Sequence, residues 1–127
     1  MTRFDENKLN IWVDIDETIC ETPPTRKYAE SVPIHENIKK VNELYDMGHE
    51  IVYWTARGCK SGKDYSPLTL SQLDKWGCKY TRLERNFKKP NYDILIDDKA
   101  VHSLFNWDTK NNEIKRVYNA HENEVRK

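Results

Sequence analysis

The stretch Ile11-Trp12-Val13-Asp14-Ile15-Asp16-Glu17-Thr18-Ile19 decides how this chain reads. Three apolar residues form a short buried strand, and two carboxylates two positions apart emerge where it ends, with a hydroxyl two further on. Residues two apart on a strand point the same way, but once the chain turns the two acids are free to take different work. One can attack while the other moves a proton, with a hard cation neutralising both. That arrangement suits phosphoryl transfer through an aspartyl-phosphate. A solvated acidic turn is the plainer alternative, and the rest of the chain discriminates between the two.

Downstream, strands alternate with helices. Residues 20–33 carry Pro23, Pro24 and Pro33 among polar residues and read as a flap. Ile34, Ile38, Val41 and Leu44 recur at helical spacing, with Gly48 where that helix would end. Ile51-Val52-Tyr53-Trp54 is a β-rich run closing at Thr55. Ser66 and Pro67 suit the N-cap and first position of a second helix, with Leu70, Leu73 and Trp76 as its apolar face and Gly77 at its end. Cys78-Lys79-Tyr80 is expected to be a short strand, and Asp93-Ile94-Leu95-Ile96 is a clearer one that runs into Asp97-Asp98. The tail from about Ser103 is polar, with Lys115 to Tyr118 as a last strand. The alternation implies a single α/β domain over residues 1–127, a Rossmann-like three-layer sandwich on a mostly parallel sheet with right-handed crossovers. Reactive groups in such sheets gather beyond the carboxyl ends of the strands. Asp14 with Asp16, Thr55, and Asp97 with Asp98 each close a strand, which the solvated-turn reading does not explain.

Size and composition narrow the function classes. A chain of 127 residues can bury a core without staples. Charged residues are 33% and apolar ones 37%, as in a soluble globular protein. Lys plus Arg (21) equals Asp plus Glu (21), so no net basic field attracts nucleic acid, and no nucleic-acid partner is expected. Cys20, Cys59 and Cys78 are odd in number and form no C-x-x-C pair, which argues against a disulfide scaffold or structural zinc. No apolar stretch approaches a membrane span and the N-terminus does not read as a signal peptide, so a cytoplasmic protein is expected.

These residues together resemble the haloacid dehalogenase superfamily of phosphotransferases, over nearly the whole chain up to about Ala100. The family's D-x-D-x-T stands here as DIDETIC, its strand-closing Ser or Thr as Thr55 in WTARG, its basic residue as Lys89 in KKP with Lys88 as competitor, and its acidic pair as Asp97 and Asp98 in LIDDKA. More narrowly, WTARG and KP-x-YD-x-LIDDKA look like small bacterial phosphatases of capsule and surface-polysaccharide biosynthesis.

The resemblance implies that Asp14 is the nucleophile and that Mg²⁺ bridges it to the substrate phosphate. Asp16 would be general acid and later general base, its backbone carbonyl also a metal ligand. One of Asp98 and Asp97 would supply the remaining carboxylate ligand, Asp98 being preferred. Thr55 and Lys89 would hold phosphate oxygens. Arg57, two positions past Thr55, suits either a second group on the substrate or a surface salt bridge. A halide leaves without a proton whereas an alkoxide needs one, so Asp16 favours phosphatase over dehalogenase chemistry. The intervals from Asp14 to Thr55 and from Thr55 to Lys89 have no room for a large cap domain. Selectivity would then come from the 20–33 flap, the Gly58–Tyr65 loop or a neighbouring copy in a homo-oligomer, with Arg26, Lys27, Tyr28 and Tyr65 as candidate contacts. The expected activity is Mg²⁺-dependent hydrolysis of a small phosphorylated sugar or polyol. A nucleic-acid end phosphatase and a receiver-like phospho-acceptor module are the alternatives.

Overall fold

Ile11, Trp12 and Val13 are buried in succession, as are Ile51, Val52 and Tyr53. Apolar runs hidden on both faces are the mark of interior strands in a parallel sheet. The computed structural model describes residues 8–85 and 91–98. The chain divides into two units, Met1–Ile96 and Asp97–Lys127, and of the second only Asp97 and Asp98 are described. The tail from Ser103, with the strand expected over Lys115 to Tyr118, lies outside the described residues, as do Lys88 and Lys89.

In the first unit, β1 (Asn10–Asp14) leads through a turn to a small antiparallel pair, β2 (Cys20–Glu21) and β3 (Val32–Pro33), with a 3₁₀ turn at Tyr28–Glu30 between them. The segment read as a loose flap is thus closed at its base by strand pairing. Helix α1 (His35–Asp46), β4 (Glu50–Trp54), α2 (Ser66–Lys75), β5 (Arg82–Glu84) and β6 (Ile94–Ile96) follow. The main sheet has the order β5-β4-β1-β6, and all its pairings are parallel. This is the expected Rossmann-like α/β architecture, and among the described residues no cap domain interrupts it. Ile38 and Val41 of α1, Leu73 of α2 and Trp76 just past its end join one core cluster with Ile11, Val13, Ile51 and Tyr53. Both helices therefore cover the same sheet face. The second helical layer of the expected three-layer sandwich is not found among the described residues. No helix among the described residues is long and apolar enough to cross a membrane.

Helix α1 ends as expected. Gly48 takes φ +98° and donates its N–H to the Tyr45 carbonyl, a left-handed closure that a side chain disfavours. Two other expectations need correction. Cys78-Lys79-Tyr80 is not a strand: Cys78 N–H closes α2 on the Leu73 carbonyl, and Lys79 is held by Asn42 and Asp46 of α1. Pairing with β4 begins only at Thr81, whose N–H bonds the Ile51 carbonyl at 2.7 Å. The buried face of α2 is also rotated from the expected one. Thr69, Gln72, Leu73 and Trp76 face inward, whereas Leu70 is 42% exposed. The spacing 69, 72, 73, 76 is still helical, but two of its members are polar, for a reason that lies in the site.

This orientation has a measurable consequence. Leu73→Ala should cost about 2–5 kcal/mol in urea unfolding, as for other buried leucines. Leu70→Ala should stay within about 0.5 kcal/mol of the parent. Equal losses at the two positions would contradict the placement of α2.

Candidate active site

The sheet order fixes where chemistry can gather. From β1 the chain crosses to β4 and then β5 on one side, and β6 returns to pair with the other side of β1. The order therefore reverses between β1 and β6, and in open parallel sheets ligands bind beyond the carboxyl ends of strands at such a reversal. Val13 lies opposite Ile96 in the β1–β6 register. The residue after Val13 is Asp14, and the residues after Ile96 are Asp97 and Asp98. Asp97 accepts the Asp98 backbone N–H on Oδ1 at 2.6 Å. Thr55, one residue past β4, is buried, and its hydroxyl oxygen accepts the Arg57 N–H at 3.0 Å.

The turn after β1 is tightly wound. Thr18 and Ile19 both donate to the Ile15 carbonyl, and Glu17 N–H bonds Cys20 O at 2.7 Å. Glu17 is left-handed at φ +65°, a conformation that costs an L-residue roughly 1–2 kcal/mol. Its carboxylate is gripped end-on by Arg26 Nη1 and Nη2 at 2.9 and 3.1 Å, which helps hold the turn in that conformation.

Asp16 is the centre of this network. Arg57 Nε bonds its Oδ2 at 3.1 Å and Arg57 Nη2 its Oδ1 at 2.8 Å. The Thr22 hydroxyl also donates to Oδ1, and Ser31 Oγ lies 2.8 Å from that hydroxyl. Arg57 is itself fully enclosed, with 0% side-chain exposure against 15% for Asp16. Its Nη1 is taken by Gln72 Oε1 at 2.6 Å and Thr69 Oγ1 at 3.2 Å, and Tyr28 lies over its plane at 4.7 Å. Gln72 Nε2 in turn bonds the Tyr28 carbonyl at 2.6 Å. A buried guanidinium must satisfy its donors, which explains why α2 turns Thr69 and Gln72 inward.

Arg57 is accordingly not the surface salt bridge that its position allowed. It forms a buried ion pair with Asp16. Burial acts to raise the Asp16 pKa, but the Arg57 hydrogen bonds and charge, helped by Thr22 and Arg26, outweigh it and hold the carboxyl below its usual value. Burial, and then the Asp16 charge, push the neighbouring Cys20 thiol up to about 12. A thiol so disfavoured as thiolate is no nucleophile at neutral pH. All three cysteines are free, as expected.

The two loops expected to shape recognition meet. Tyr28 of the flap packs edge-on against Tyr65 at 4.9 Å, and Lys63 lies over the Tyr65 ring at 5.1 Å. Gly58 permits that loop, since its φ is +85° and a Cβ there would stand 1.9 Å from the Lys63 carbonyl oxygen. The residues that hold the pair, Thr22 on Asp16 and Ser31, Thr69 and Gln72 on Arg57, escaped the sequence reading. The one available signal was two polar residues at positions 69 and 72, on a helical stripe with Leu73 and Trp76.

No family model and no curated protein matches this chain. A crystal structure of an MCSG target from Vibrio cholerae is similar to it, with a TM-score of 0.56 and 24% identity over 93% of this chain and 98% of that one. At that identity the likeness speaks for the fold alone, and it agrees with the α/β architecture described above.

The ion pair sets a stability signature. Arg57→Met, which leaves Asp16 without its counter-charge, should destabilise by about 3–5 kcal/mol at neutral pH. Because the folded pKa of Asp16 lies below the unfolded one, its contribution is present above about pH 4 and is lost as pH falls through the folded value. The stability gap between the parent and Asp16→Asn should therefore close on acidification. A gap independent of pH would contradict the pairing.

Proposed function

We propose that this chain is a phosphomonoesterase of the haloacid dehalogenase type, Mg²⁺-dependent and acting through an aspartyl-phosphate on a small phosphorylated sugar or polyol. The observation that carries the reading is the position of the acids. Asp14 closes β1 and the Asp97-Asp98 pair follows β6, on the two strands that flank the reversal of the sheet. Thr55 stands at the same end, after β4 on the other side of β1.

The donor set fits a hard divalent cation, since carboxylate oxygens are what Mg²⁺ prefers. Asp14 and one or both of Asp97 and Asp98 would hold it, with the Asp16 carbonyl, and when bound it would neutralise charge between Asp14 and the phosphate. An Asp14 oxygen attacks phosphorus in line, and the ester P–O bond breaks with its electron pair on the leaving oxygen. Asp16 passes a proton to that oxygen and afterwards takes one from the water that attacks the acyl phosphate, which frees Asp14 and inorganic phosphate. Thr55, still able to donate its hydroxyl proton, would hold a phosphate oxygen. Lys89 is assigned to the same phosphate on the family resemblance alone. With no cap among the described residues, the Tyr28–Tyr65 corner and an adjoining copy are the elements left to select the substrate. The narrower resemblance points to a cytoplasmic step of surface-polysaccharide synthesis.

Asp14→Asn, nearly equal in size, should abolish phosphate release from p-nitrophenyl phosphate while leaving the circular dichroism spectrum unchanged. EDTA should silence the parent and Mg²⁺ restore it. Normal turnover by the variant would remove Asp14 from the nucleophile's role.

A further inference from the structure

A guanidinium closed off from solvent still sits against the carboxylate to which the proposed reaction gives proton transfer. Any set of acceptors would satisfy a buried arginine placed only for packing. Here Nε and Nη2 take the two oxygens of Asp16 side-on, while Nη1 is fixed by Thr69 and Gln72. Anchored at both ends and covered by Tyr28, the guanidinium plane cannot rotate without breaking several bonds. Thr22, tied to Ser31 across the flap, adds a donor to the same carboxylate from another side. Asp16 is thus held by α2 and by the flap at once.

We propose that Arg57 is a positioning residue, which fixes the Asp16 carboxyl in the orientation needed for proton transfer to the leaving oxygen. The inference rests on the phosphatase reading. In the first step Asp14 bonds to phosphorus, the ester P–O bond breaks with its electrons on oxygen, and the proton on Asp16 moves to that oxygen. Arg57 favours the ionised carboxylate, so the acid form must draw its proton affinity from the phosphate dianion brought beside it; protonated on one oxygen, Asp16 can still accept from Arg57 on the other. A carboxyl released from the fork would deliver its proton poorly. Lysine in place of Arg57 keeps the charge but has no planar fork to impose that geometry.

The leaving group separates positioning from mere structural support. An alkyl phosphate needs its departing oxygen protonated, whereas 2,4-dinitrophenolate leaves without help. Arg57→Lys should lower kcat/KM for glycerol phosphate at least about tenfold more than for 2,4-dinitrophenyl phosphate, within the range that general acid catalysis supplies. An equal fall for the two substrates, or no fall, would overturn the assignment, because a folding defect or a lost substrate contact acts on both alike. Thr22→Val retains Arg57 and should show the same imbalance in smaller measure. It decides the question if Arg57→Lys does not fold, and an equal effect on both substrates there overturns the proposal. Failure of the parent to show any Asp14-dependent release would instead bring down the phosphatase reading, and this inference with it.

Discussion

A guanidinium buried without water must find acceptors for its N–H groups and a counter-charge for itself, and much of this molecule follows from that demand. Arg57 meets it with Asp16 from the turn after β1, Ser31 from the flap, and Thr69 and Gln72 from α2, with the Tyr28 ring laid across its face. Three segments distant in sequence are thereby fixed around one side chain. A lone buried charge would be costly, and replacing the pair by well-packed apolar residues would be close to neutral or better for stability. A pair retained at such a place is better understood through what it orients than through what it stabilises.

The same demand marks where sequence reading succeeded and where it stopped. The parallel sheet was legible because β1 and β4 are apolar runs of strand length, and because Gly48 and the periodicity of Ile38 and Val41 bounded the helix between them. The acids at strand ends were legible because strand polarity puts chemistry at one edge. The role of Arg57 was not, since its partner lies 41 positions away and only the folded chain brings the two together. The face of α2 was misjudged for the same reason. Leu70 has the more apolar side chain, yet Thr69 and Gln72 are turned in to satisfy Arg57. At residues 78–80, β propensity gave way to tethers from Asn42 and Asp46, which hold the chain until Thr81 can join β4.

Backbone conformations set the shape of the surrounding loops. Glu17 accepts a left-handed conformation directly after Asp16, and the Arg26 pair from the flap secures it. Gly58 admits a carbonyl approach that no side chain would tolerate, and the resulting loop brings Tyr65 to Tyr28. Tyr28 thus touches Arg57 on one side and Tyr65 on another, which joins the elements proposed for recognition to those proposed for proton transfer. Substitutions in the flap are expected to reach Asp16 through Thr22 and Tyr28.

The central claim is that Asp14 carries the phosphoryl group during turnover. Its most direct test is acid quenching of the protein in mid-turnover with Mg²⁺ and a phosphomonoester, followed by mass spectrometry of the peptide that contains residues 9–21. One phosphoryl adduct is expected on Asp14, removed by hydroxylamine as an acyl phosphate must be. Steady phosphate release with that peptide unmodified, or with the adduct on another residue, would contradict it.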